Sequence, residues 1–114
     1  MPAGPYPALI PVRSVGRVTI VRLRDVVRIE AADNYVRLWA DRPYLVKQTF
    51  SRVVARLDPA LFLRVHRSHA VNLERVRELR PRHHGEYTLR LTDGSEIVTG
   101  RTYRAPVQAR FGLA

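Results

Sequence analysis

Short runs of alternating apolar and polar residues, closed by turn-forming dipeptides, constrain this chain more than any other feature. Val27 and Ile29 alternate with Arg28 and Glu30. Val36 and Leu38 alternate with Tyr35, Arg37 and Trp39, and Tyr87, Leu89 and Leu91 alternate with Glu86, Thr88 and Arg90. A period of two sends successive side chains to opposite faces of a sheet, so each run predicts a strand with one buried and one wet face. Asp33-Asn34, Asp41-Arg42-Pro43 and His84-Gly85 divide such runs into hairpins. Asp93-Gly94, between Leu91 and Ile97, is the strongest turn signal, because both residues tolerate the positive φ that a tight hairpin needs. Two segments break the period. Phe50, Val53, Val54 and Leu57 form the stripe of a short amphipathic helix, with Thr49 or Ser51 as N-cap and Asp58-Pro59 as its stop. A second helix is predicted near the C-terminus, with Pro106 in its first turn, Val107 and Phe111 on one face and Gly112 ending it. The expected fold is mostly β, built from antiparallel strands with two short helices.

The chain has 114 residues, enough for one core and too few for two enzyme domains. Three prolines and a glycine within residues 1–7 predict an extended linker over residues 1–8, leaving 9–114 as the domain. No apolar run is long enough to span a bilayer, and Met1–Pro7 lacks the flank and apolar stretch of a signal peptide. With no cysteine there is no disulfide frame, thiolate metal site or cysteine nucleophile, and a cytoplasmic location is expected. The formal net charge of +10 points to a polyanionic partner, nucleic acid before an anionic membrane. All basic residues except Lys47 are arginine. Codon bias in a GC-rich genome trades lysine for arginine, but it does not create net charge. The basic residues divide evenly between the two halves, so the charge belongs to the folded surface and not to a tail. The helical stripe at Phe50–Leu57 is too short for a membrane-surface module.

Catalytic chemistry finds no foothold. His66 and His69 are three apart but lie in a strand-and-loop segment that also carries Arg64 and Arg67, with no carboxylate close in sequence, so no metal site is expected. Ser68 sits on nothing like a nucleophile elbow, and no glycine-rich phosphate loop exists. The expectation is a non-enzymatic domain without cofactor or metal. What remains are three polar loops: Asp33-Asn34-Tyr35, Arg64 to Asn72, and Thr99 to Arg104. They are rich in residues whose side chains bond base edges and phosphates.

The order and spacing of these loops resemble the LytTR family of bacterial DNA-binding domains, the output modules of LytR/AlgR-type response regulators. The likeness spans residues 9–111. It is carried by Ile29-Glu30-Ala31 with Asn34-Tyr35, by Phe62, Arg64, His66-Arg67-Ser68, Val71 and Asn72, and by Leu89, Leu91 and Asp93-Gly94 before Arg101. Thr99-Gly100-Arg101 departs from the family's serine directly before the arginine, leaving Thr99 or Thr102 as the hydroxyl for that place. The resemblance implies an elongated arrangement of small antiparallel sheets with short helices, whose loops, not a recognition helix, enter successive major grooves. It implies Arg67 and Arg101 as base readers and brings Asn34, Tyr35 or Val36 near the DNA. His66, Ser68, Lys47 and Arg104 are the phosphate candidates. Arg101 follows a strand and precedes a helix, so its loop is anchored. It lies far enough beyond Arg67 in sequence for the two to reach different parts of a site, with Glu96 or Tyr103 as the partner if it were instead a structural brace. Asn72 is expected to bond loop backbone. The implied partner is double-stranded DNA with repeated half-sites, bound by an otherwise monomeric domain whose dimerisation belongs to an upstream receiver. An RNA or single-strand-binding β module is the alternative, with Tyr35 and Trp39 on one strand face as stacking platforms.

Overall fold

The computed structural model describes residues 6–113; most of the expected linker, residues 1–5, lies outside the described residues. Ten strands and two helices follow in order. They are β1 (Leu9–Ser14), β2 (Arg17–Arg22), β3 (Arg28–Ala32), β4 (Tyr35–Trp39), β5 (Pro43–Val46), α1 (Phe50–Ala55), β6 (Phe62–His66), β7 (His69–Asn72), β8 (Val76–Pro81), β9 (Tyr87–Leu91), β10 (Glu96–Val98) and α2 (Arg104–Phe111). All strand pairs are antiparallel. They make a β1–β2 ribbon, a five-stranded sheet in the order β5-β4-β3-β7-β6, and a three-stranded sheet in the order β10-β9-β8. The molecule measures 47 × 32 × 24 Å, the elongated arrangement expected. Among the described residues no helix is long and apolar enough to cross a membrane.

The five-stranded sheet is the centre. On one face Ile29, Val36, Leu38 and Ala70 pack with Phe50, Val53 and Leu57 of the α1 segment and with Val12 and Val21 of the ribbon. On the other, Val27, Val65 and Val71 pack with Leu89, Leu91 and Ile97 of the three-stranded sheet and with Val107 of α2. Each fully buried aliphatic side chain contributes about 1.5–3 kcal/mol through its removal from water. Ala70, Val71 and Asn72 of β7 are all buried, because this strand is covered on both faces.

Local signals behave as their chemistry dictates, with two corrections. Thr49 caps α1, its hydroxyl accepting from the Arg52 amide at 3.3 Å, and Gly112 ends α2 in the left-handed region. At Asp93-Gly94 only Gly94 takes a positive φ (88°). Asp93 instead accepts at Oδ1 from the Ser95 amide (2.9 Å) and hydroxyl (2.6 Å), which closes a four-residue connection in place of a two-residue one. Thr88, expected on the wet face of β9, is buried, with the Arg82 guanidinium reaching its hydroxyl at 3.5 Å.

Candidate nucleic-acid interface

Strand pairing gathers the polar loops at one end of the molecule. β3 runs antiparallel to both β4 and β7, with Glu30 opposite His69. The β3–β4 turn at Asp33-Asn34 and the β6–β7 turn at Arg67-Ser68 therefore emerge from the same edge, where the Ala31 amide donates to the Ser68 carbonyl at 2.9 Å. Val46 pairs with Val36, so Lys47 leaves β5 beside Tyr35 on that edge. The closing loop joins them through the main chain: the Gly100 amide donates to the Val65 carbonyl at 2.9 Å. Arg67 and Arg101, far apart in sequence, thus spring from loops bonded to each other. Asn34, Tyr35, Lys47, Arg67, Arg101 and Arg104 are exposed, and His66 and Ser68 are half-buried.

The central turn depends on a bulge. Registers run evenly from Phe62–Asn72 to Arg64–Ala70 and then shift, leaving Val65 as the extra residue before His66 pairs with His69. The shift frees the Val65 carbonyl for Gly100 and turns His66 across the loop. His66 Nδ1 accepts from the Ser68 amide at 3.1 Å and lies 3.0 Å from its hydroxyl, which leaves Nε2 to carry the ring proton. Outside the turn, Arg64 donates to the carbonyls of His66 (3.4 Å) and Arg67, and its guanidinium lies 4.9 Å from the centre of the Phe50 ring. In the closing loop Thr99 supplies the ordering hydroxyl. It is buried and accepts from the Tyr87 amide at 2.9 Å, whereas Thr102 is exposed. Gly100 sits between the Tyr103 and His66 rings, where a Cβ would lie 3.3 and 3.7 Å from them. Arg104 crosses Gly85 so closely that a Cβ there would stand 2.6 Å from its Cδ.

Basic charge at this end is only partly compensated. Among the described residues no carboxylate lies within ion-pair distance of Arg67, Lys47 or Arg104. Arg101 reaches only Glu86, at 4.0 Å with its side chain 69% exposed, and Glu96 pairs instead with Arg80 at 2.9 Å. Asn72 does what was expected of it. Fully buried, it donates to the Val26 and Arg24 carbonyls at 2.9 and 3.3 Å and accepts from the Glu74 amide at 2.9 Å.

The half of the sheet face that the three-stranded sheet leaves uncovered carries a polar cluster. Glu30 accepts from Trp39 Nε1 and Arg37, each at 3.0 Å, while Arg28 lies 3.8 Å from the same carboxylate and stacks 4.6 Å from the Trp39 ring centre. Burial opposes ionisation of Glu30, but the bonds from Trp39 and Arg37 and the Arg28 charge outweigh it and hold its carboxyl below the ordinary range. Trp39 is thus occupied, and it sits at the Pro43 end of β4, away from the loops. The expected pair of stacking platforms reduces to Tyr35 alone.

Burial pushes the His69 imidazole below its ordinary value. Glu30 acts the other way, while His66 and Arg28 add to the depression. His69 Nδ1 is buried without a hydrogen-bond partner, so no hydrogen bond from that nitrogen offsets the burial of a charged ring. The unfolded chain therefore takes up this proton first. The His69 contribution to stability is complete above the unfolded value near 6.5 and is lost as pH falls toward the depressed folded value. Melting temperature should drop as pH falls below about 7, and His69→Gln should flatten that slope. Parallel slopes for the two proteins would show that His69 is not its source. Among the described residues no group of His, Cys, Asp and Glu is arranged to hold a metal ion, and His66 and His69 meet only as tilted rings 5.3 Å apart.

Sequence reasoning located the loops but missed Arg64 and Gly100 as the residues that fix them. Their signal is the bulge at Val65, which no local pattern announces.

Known proteins share this arrangement. Residues 16–112 match the LytTr DNA-binding domain family. The sensory transduction protein LytT of Bacillus subtilis is 36% identical over 92 residues, 79% of this chain and 38% of that protein. LytT of Enterococcus faecalis is 24% identical over 97% of this chain and 46% of its own length, and the transcriptional regulatory protein LytR of Staphylococcus aureus 24% over 91% and 43%. This chain therefore spans less than half the length of these relatives. A solved LytTr DNA-binding domain from Bacillus cereus superposes with a TM-score of 0.83 at 20% identity, covering 93% of this chain and 98% of that one, which establishes the shared fold. With the family match covering most of its residues, the chain belongs to the LytTr DNA-binding domain family.

Proposed function

We propose that this domain binds double-stranded DNA sequence-specifically through its loops, as the output module of a cytoplasmic response-regulator-type transcription regulator, and carries out no catalysis of its own. Arg67 and Arg101 read base edges in successive major grooves, where the planar guanidinium matches the two acceptors of guanine. Asn34 and Tyr35 approach the duplex at the opening turn. Lys47, Arg104, His66 through Nε2, and Ser68 hold phosphates. In the full-length regulator an upstream receiver supplies dimerisation, and paired domains occupy repeated half-sites. The observation that carries this reading is the convergence of three polar loops on one end of the molecule, where Arg67, Lys47 and Arg104 are exposed with no carboxylate at ion-pair distance among the described residues.

Selection of bound duplexes from a random DNA pool tests it, and two recurring half-sites are the expected outcome. On the selected duplex, Arg67→Ala should cost about 1–3 kcal/mol and should barely affect a scrambled duplex. Lys47→Ala should weaken both equally and lower the slope of log affinity against log salt by roughly one. A flat salt dependence of the parent domain, or preferential capture of single-stranded RNA, would overturn the reading.

A further inference from the structure

We infer that Arg64 is the positioning residue of the central turn, setting the direction in which Arg67 projects without itself contacting DNA. The inference rests on the DNA-binding reading for one of its two consequences. A residue's φ and ψ are the relative orientations of the two peptide planes that flank it. The planes flanking Arg67 end in the carbonyls of His66 and Arg67, and the guanidinium of Arg64 donates to both. That guanidinium is itself located by the Phe50 ring, 4.9 Å away, and Phe50 is buried in the core beneath α1. The chain of contacts therefore runs from a rigid helix, through a stacked cation, to the two peptide planes that aim Arg67. Only arginine can do this, because its flat fork stacks on a ring while its edge donates at separate points. A lysine at position 64 keeps the charge and loses the geometry. Strand alternation puts Arg64 on the α1 side of the sheet and Val65 in the opposite core, and the bulge there shifts the register before His66 pairs with His69.

The test compares Arg64→Ala and Arg64→Lys with the parent domain, with melting curves to confirm folding. Hydrogen exchange is followed at the Ser68 amide, which bonds His66 Nδ1, and at the Ala31 amide, which bonds the Ser68 carbonyl. Both amides should exchange roughly tenfold faster in each variant, with core amides such as that of Leu38 unchanged. Affinity for the selected duplex should fall by roughly tenfold in Arg64→Lys, with less than about a twofold change on a scrambled duplex. Unchanged exchange in the two variants overturns the proposal. So does an Arg64→Lys domain that discriminates as well as the parent, which would identify Arg64 as an ordinary phosphate contact. A parent domain unable to distinguish the duplexes would sink the DNA-binding reading instead, and the exchange measurement would still decide whether Arg64 orders the turn.

Discussion

Arg101→Ala should reduce affinity for the selected duplex by at least about tenfold while leaving the melting temperature within roughly 1 °C of the parent. The side chain is mostly exposed, and its one carboxylate neighbour, Glu86, lies at the limit of ion pairing, where a surface contact contributes about 0–1 kcal/mol at most. The backbone beneath it is held firmly, by Thr99 on Tyr87 and by Gly100 on Val65, so little freedom is lost when the side chain engages a base. The loss should be confined to one segment of each half-site. Arg101→Lys should recover it only in part, since an ammonium cannot form a two-bond fork. If Arg101 were instead a brace on Glu86, the alanine variant would melt earlier and lose selected and scrambled DNA together.

Asn72→Ala should have the largest effect on stability. It removes two donations to the carbonyls of Arg24 and Val26 and one acceptance from the Glu74 amide; the Arg24 carbonyl keeps Arg75 at 3.1 Å, but the Val26 carbonyl and the Glu74 amide lose this partner. Unsatisfied buried groups of this kind cost about 3 kcal/mol together, a fall of roughly 10–15 °C in a domain of this size. Asn72→Asp should be no better, because it sets an anion against two carbonyl oxygens. A variant that melted normally and bound DNA poorly would reassign Asn72 from scaffold to contact.

The strands of β3, β4 and β9 could be read directly because each has one face in a core and one largely outside it, and alternation records that asymmetry. β7 could not be read this way, since a strand buried on both sides has no asymmetry to record. The β1–β2 ribbon escaped as well. Its first strand contains Pro11, and its outer face keeps Leu9, Val18 and Ile20 exposed, so the pattern of burial departs from the pattern of polarity. Thr88 misled for a related reason, because a neighbouring arginine covers a hydroxyl that period-two reasoning sends to solvent. For the interface, composition indicated the kind of partner and the resemblance indicated Arg67 and Arg101. Their convergence depends on the main-chain bond from Gly100 to Val65, a contact between distant parts of the chain that leaves no local trace. The hydroxyl missing before Arg101 was supplied by Thr99, one residue earlier than the motif would have it.

The hydrogen bond between the Gly100 amide and the Val65 carbonyl joins main chain to main chain, so the separation of the two loops does not depend on the side chains of residues 67 and 101. Their spacing therefore works as a fixed ruler, and on the proposed reading residues 67 and 101 are the letters written on it. Vocabulary can be exchanged at those two positions without re-tooling the frame, whereas one residue inserted between Val65 and Arg67, or between Thr99 and Arg101, changes the measure itself. On the same reading, a substitution at position 67 or 101 changes the target, and an insertion in either loop abolishes the site.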